Sequence, residues 1–92
     1  MLAFMKEIKV KILNKLGLHA RPAAQLVKTA AKFKSDIFIS RDSQMVNGKS
    51  IMGVMMLAAE NGAELTITAN GDDEEEALAA LKALFESKFD EE

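Results

Sequence analysis

The chain has a single histidine, His19, and the residues around it could do phosphoryl chemistry. It lies in the stretch Gly17-Leu18-His19-Ala20-Arg21-Pro22-Ala23-Ala24. Pro22 has no donor N–H and a fixed φ, so it is tolerated in the first turn of a helix, and the apolar run after it continues one. A helix therefore opens between His19 and Pro22. The start of that helix at Ala20 and Arg21 offers unpaired amides and a positive dipole end, an arrangement suited to holding an anion such as phosphate. Arg21 adds a planar cation able to grip phosphate oxygens in pairs. A lone histidine is more often structural than chemical. Beside Gly17, a helix start and a guanidinium, it makes an anion site with a nucleophile in it.

A second helix start stands at Ser50. Gly48-Lys49-Ser50 resembles the tail of a phosphate-binding loop, but GxxxxGK[ST] requires glycine where this chain has Ser43. Two readings of Ser50 remain open. It is a helix N-cap, or it is a phosphorylation site whose dianion would disturb a partner docking on the apolar residues beside it. Those residues, Ile51, Met52, Val54, Met55, Met56 and Leu57, are apolar almost all round. A short helix cannot bury every side, so an exposed patch of adaptable methionines is expected, suited to several partners. Lys28 and Lys49 would supply peripheral charge that speeds encounter.

Other chemistries fit less well. One histidine and scattered carboxylates do not make a metal site. No Asp or Glu adjoins His19 in the sequence, so a catalytic triad lacks its orienting group, and a phosphohistidine-dependent phosphatase lacks its second acid or base. The acidic run Asp72 to Glu76 lacks the spaced oxygens and central glycine of a calcium loop.

The elements that must position these groups follow from hydrophobic periodicity. Lys6 to Ile12 alternates charged and apolar residues, the pattern of a half-buried antiparallel strand. The helix after His19 carries Ala23, Leu26, Val27, Ala30, Ala31 and Phe33 near helical spacing and is expected to end at Ser35 and Asp36. Ile37 to Ile39 gives a second strand, Asp42 and Ser43 a turn, and Met45 with Val46 a third strand. The helix opened by Ser50 is expected to stop at Asn61-Gly62. Leu65, Ile67 and Ala69 alternate with threonines in a fourth strand ending at Asn70-Gly71. Asp73 and Glu76 stand at capping-box spacing ahead of a last helix with the stripe Leu78, Leu81, Leu84, Phe85 and Phe89. The order βαββαβα predicts an α+β fold in which one sheet carries its helices on a single face.

Ninety-two residues suit a single domain, 1–92, with residues 1–4 read as an N-terminal extension because Met5-Lys6 looks like a second start. There is no cysteine, and with no secretory signal in view the composition suits a reducing cytoplasm. No apolar run approaches the roughly 18 residues of a membrane span. The net charge of -2 is unevenly spread. Residues 1–49 hold ten Lys/Arg against three Asp/Glu, and residues 50–92 two against eleven. Without Tyr or Trp to stack bases, the basic half points to an acidic protein partner rather than nucleic acid.

At two stretches the chain resembles the family of histidine-containing phosphocarrier proteins, HPr, of the bacterial phosphoenolpyruvate-dependent sugar phosphotransferase system. GLHARPAA matches that family's active-site motif, and KSIMGVM from Lys49 to Met55 matches its regulatory-serine motif at the same separation. The resemblance implies an open-faced β-sandwich, a four-stranded antiparallel sheet covered by three helices. It implies a stoichiometric carrier rather than an enzyme. His19 would accept phosphate on Nδ1 from phosphorylated enzyme I and donate it to an enzyme IIA, with Arg21 steadying the group. Ser50 would be the target of HPr kinase/phosphorylase, and Ile51, Met52 and Met55 part of the docking surface. A cytoplasmic monomer without cofactor or stable membrane association is expected, serving sugar uptake or, as the alternative, a regulatory nitrogen-type branch.

Overall fold

The structure is a computed structural model and describes residues 6–91. The extension assigned to residues 1–4 lies outside the described residues. The elements run β1 (Lys6–Lys11), α1 (Ala20–Ala30), β2 (Asp36–Arg41), β3 (Gln44–Asn47), α2 (Ile51–Met56), β4 (Glu64–Asn70) and α3 (Glu74–Glu86), in the predicted order. A short 3-10 turn over Lys88–Asp90 follows.

The four strands form one antiparallel sheet in the order β1-β4-β2-β3. Because side chains alternate between faces, register decides which residues meet. Ile67 on the central strand lies opposite Ile8 on one side and Ile39 on the other, while Val10 faces Leu65 and Ile37 faces Ala69. These residues share one face, and it is the face covered by helices. Leu26 and Ala30 of α1, Val54 of α2, and Leu78, Leu81 and Phe85 of α3 are buried with them in a single core. Lys9 and Lys11 point to the other, open face and are exposed. The architecture is the expected open-faced α+β sandwich.

Four boundaries differ from the periodicity. α1 ends at Ala30, short of Ser35, because the amides of Lys32 and Phe33 turn back to the carbonyls of Thr29 and Ala30 in tighter 3-10 fashion. Phe33 still packs on the core, which is why it fitted the helical spacing. α2 ends at Met56, well before Asn61-Gly62. Ala58 takes a left-handed backbone, φ +48°, and the Arg41 guanidinium satisfies the carbonyls of Leu57 and Ala58 at 3.2 and 3.1 Å. Asn61-Gly62 instead makes the turn into β4, with the Gly62 amide donating to Ile12 at 2.8 Å.

At the start of α3 the expected capping box is absent. Asp73 holds the N-cap position without capping the helix. Its carboxylate accepts from the Ser35 hydroxyl and from the amides of Lys34 and Ser35, the last two at 2.9 Å each, tying α3 to the α1–β2 connection. Those bonds, the Ser35 hydroxyl foremost, hold the Asp73 carboxyl down at about 2. Glu74, not Glu76, reaches back to a free amide, that of Gly71 at 2.9 Å. Finally, Phe89 lies beyond α3, buried as expected but carried by the 3-10 turn.

Candidate functional site

His19 is the N-cap residue of α1, with extended backbone at φ −85° and ψ −170°. Its carbonyl accepts from the Ala23 amide at 2.9 Å, while its side chain makes no cap bond. Pro22 is the third residue of the helix and is buried. The amides of Ala20 and Arg21 have no carbonyl one turn back to reach, and among the described residues neither donates to one elsewhere. The helix start therefore keeps two open donors beside the ring.

The loop ahead of His19 is fixed by close backbone packing. Gly17 takes φ +76°, and a Cβ there would sit 2.7 Å from the carbonyl oxygen of Ala59. This contact is what demands glycine, since the Leu18 amide donates to the same oxygen at 2.8 Å. Asn14, fully buried, donates through Nδ2 to the Gly17 carbonyl at 2.6 Å and to Glu91 Oε1 at 3.0 Å. Both partners are acceptors, which fixes the amide's orientation. Its Oδ1 is buried with no partner among the described residues.

Glu91 completes the site. Lys88, Phe89 and Asp90 all take left-handed backbone, at φ +58°, +55° and +58°, and swing the chain back toward α1. Phe89 anchors this strap in the core, its ring edge-on to Phe85 with centroids 4.9 Å apart. Oε1 of Glu91 then lies 2.9 Å from Nε2 of His19. The bond from His19, followed by that from Asn14 and the nearby charge of Arg21, holds the Glu91 carboxyl below its usual range. An ionised carboxylate can only accept, so Nε2 carries the hydrogen and, in the neutral ring, Nδ1 carries the lone pair. The His19 side chain keeps 38 % of its surface exposed and that of Glu91 19 %. The expectation that no acid or base stands near His19 is thus corrected: the partner lies 72 residues away in sequence.

The remaining candidates fall in two places. Arg21 is exposed and makes no hydrogen bond or ion pair among the described residues, so its guanidinium is open to a ligand. Ser50 caps α2, its Oγ accepting from the Gly53 amide at 3.1 Å. Val54 buries the inner side of α2, leaving Ile51, Met52, Met55 and Met56 exposed, Met52 at 73 %. Lys28 is exposed in the last turn of α1. Lys49 is engaged, its Nζ donating to the Phe33 carbonyl at 2.7 Å beyond the end of α1. The periodicity gave no sign of Leu16, an exposed leucine in the loop before His19, nor of Asn14 and Glu91.

A sequence profile described as the PTS HPr component phosphorylation site matches residues 6–87. The chain belongs to the HPr family. It is 52% identical over 83 residues to the phosphocarrier protein HPr of Treponema pallidum strain Nichols, spanning 90% of this chain and 94% of that protein. It is 51% identical over 79 residues to the HPr-like protein Crh of Bacillus subtilis strain 168, spanning 86% and 93%. Among solved structures, HPr from Thermoanaerobacter tengcongensis superposes with a TM-score of 0.91 at 55% identity, covering 95% of this chain and 98% of that one. A crystal structure of Bacillus subtilis Crh, described as an intertwined, swapped dimer, gives 0.73 at 48% identity and covers 86% and 91%. The chain is accordingly an HPr phosphocarrier of the phosphotransferase system, a carrier rather than a catalyst in the usual sense.

Proposed function

We propose that His19 takes a phosphoryl group onto Nδ1 from phosphorylated enzyme I and passes it to enzyme IIA components serving sugar uptake, in the cytoplasm and as a monomer. The observation that carries this reading is the bond between Nε2 of His19 and Glu91, which leaves Nδ1 as the ring's free lone pair at the start of α1. Phosphorylation replaces a neutral ring by a group carrying negative charge. The open amides of Ala20 and Arg21, the dipole of α1 and the Arg21 guanidinium favour that charge without a change of fold. The grip is moderate by design of the residues: two amides and one exposed cation hold the group, yet let it leave again.

Docking falls to the exposed residues of α2, Ile51, Met52 and Met55, with Lys28 and Lys49 at the margin. Phosphorylation of Ser50 by an ATP-dependent HPr kinase/phosphorylase would place a dianion beside this patch and weaken docking through like charge and desolvation. Lys49, one residue before Ser50, would then have two claims on its ammonium, the phosphate and the Phe33 carbonyl.

Incubation with enzyme I and phosphoenolpyruvate tests the carrier role. An acid-labile, alkali-stable phosphate should form on the wild type and be absent from His19→Ala; a label that persists in that variant overturns the assignment. Unchanged sugar uptake after deletion in the host would move the role to a regulatory, nitrogen-type branch. Glu91 supplies the second acid or base group that a phosphatase would need, but it sits on Nε2 and orients the ring. Multiple turnovers on a phosphate ester by the isolated protein would be required for that reading.

A further inference from the structure

We propose that Glu91 is a positioning residue for phosphoryl transfer: by accepting the hydrogen bond of Nε2–H it keeps that proton on the ring while Nδ1 carries the phosphoryl group, and so keeps the imidazole a good leaving group. This rests on the carrier reading of His19 and goes beyond it. When the Nδ1 lone pair attacks phosphorus, the bond from phosphorus to phosphorylated enzyme I breaks, and its electron pair departs with that donor. The new Nδ1–P bond leaves the His19 ring positively charged, and the Nε2 proton becomes its acidic hydrogen. If water takes that proton, Nδ1 must later depart from phosphorus as an anionic imidazolate. If the proton stays, the departing group is a neutral imidazole, and the acceptor in enzyme IIA supplies the electron pair for its own new bond to phosphorus.

The geometry is built for the second course. One oxygen, Oε1, receives both the Nε2–H of His19 at 2.9 Å and the Asn14 amide at 3.0 Å, so the acceptor is held from two directions. Asn14 is itself buried and pinned to the Gly17 carbonyl. The strap that delivers Glu91 spends three consecutive left-handed residues and a fully buried phenylalanine on reaching this point. The charged groups around the ring are few. Glu91 bonds the ring directly and Arg21 follows two residues on. Lys15 of the loop and Lys88 and Asp90 of the strap are exposed, where solvent screens them. The phosphoryl group on the neighbouring nitrogen adds to the effect of Glu91.

The test uses the phosphorylated full chain as wild type, Glu91→Gln and Glu91→Asp. Glutamine keeps the shape and an acceptor oxygen but removes the charge; aspartate keeps the charge. Long-range proton–nitrogen NMR of the phosphorylated ring reads protonation of Nε2 against pH. Loss of one adjacent charge should lower the midpoint by about one pH unit in Glu91→Gln. Transfer to enzyme IIA should then slow by about tenfold at alkaline pH, a factor that follows from one unit of proton occupancy, and match wild type near pH 6. Glu91→Asp should recover part of the shift. Coincident midpoints in wild type and Glu91→Gln overturn the proposal, as does a rate loss in Glu91→Gln that is the same at every pH. Failure of the wild type itself to accept phosphate on His19 would instead overturn the carrier reading beneath it.

Discussion

Replacing Gly17 by alanine tests whether the loop before His19 is held by packing or only by its backbone conformation. At φ +76° an alanine carries the left-handed penalty, about 1 to 2 kcal/mol. Its Cβ would also stand 2.7 Å from the Ala59 oxygen and 3.1 Å from the Glu60 Cα. Both are main-chain atoms and cannot rotate away, so overpacking adds about 1 to 3 kcal/mol. Gly62 supplies the control, because at φ +92° it has nothing within 4 Å of where a Cβ would be. Gly62→Ala should cost only the backbone part, about 1 to 2 kcal/mol, and Gly17→Ala about 1 to 3 kcal/mol more. In thermal unfolding that difference is roughly 5 to 20 °C for a domain of this size; urea titration gives the same quantity at constant temperature. Pushing Ala59 away also strains the bond from the Leu18 amide, 2.8 Å long, and with it the position of His19. Phosphorylation by enzyme I should therefore slow in Gly17→Ala and stay near normal in Gly62→Ala. Equal stability losses in the two variants would refute the packing argument.

Three further outcomes follow from the residues at the starts of α3 and α2. Asp73 has its carboxyl depressed to about 2 from an ordinary 3.8, so its contribution is fully present above the unfolded value and is lost as pH falls through the folded one. The stability gap between wild type and Asp73→Asn, read by urea titration, should be constant from pH 5 to 7, shrink below pH 4 and close only below pH 2; a gap independent of pH would count against the Ser35–Asp73 tie. Ser50→Ala should cost about 1 kcal/mol by leaving the Gly53 amide uncapped. Ser50→Asp keeps a capping oxygen and should fold like wild type, yet bind enzyme I more weakly in calorimetry; equal affinity would remove Ser50 from the docking surface.

Much of the molecule was legible in the residues because its strands and helices have clean periods. β1 and β4 alternate strictly, and Pro22 and Ser50 mark their helix starts by steric and hydrogen-bonding rules that act within a few residues. What escaped depends on distance. Asp73 looks like a capping residue locally, but a better set of donors waits at Lys34 and Ser35, brought close only by the fold. Phe89 has helical spacing with Phe85, yet its backbone has already turned left-handed. α2 ends early because Ala58 turns left-handed and Arg41, from the β2–β3 hairpin, takes up the carbonyls of Leu57 and Ala58 just past the helix. Glu91 had no local signal at all: in the sequence it is one carboxylate among several in an acidic tail, and only the strap's reversal sets it against His19.

The strand order has a consequence for how the chain is made. β4 pairs with both β1 and β2, so apart from the β2–β3 hairpin no part of the sheet can close until residue 70 has left the ribosome. The His19 loop is synthesised early but waits for Ala59 to fix Leu18 and for Glu91, 72 residues further on, to reach its ring. Until residue 91 is made, a nascent chain therefore carries its phosphate-accepting turn without a working site, and folding is dominated by late, long-range pairing rather than by growth from the N-terminus. During that wait β1 is a finished strand without a partner, open to the β4 of another chain emerging nearby.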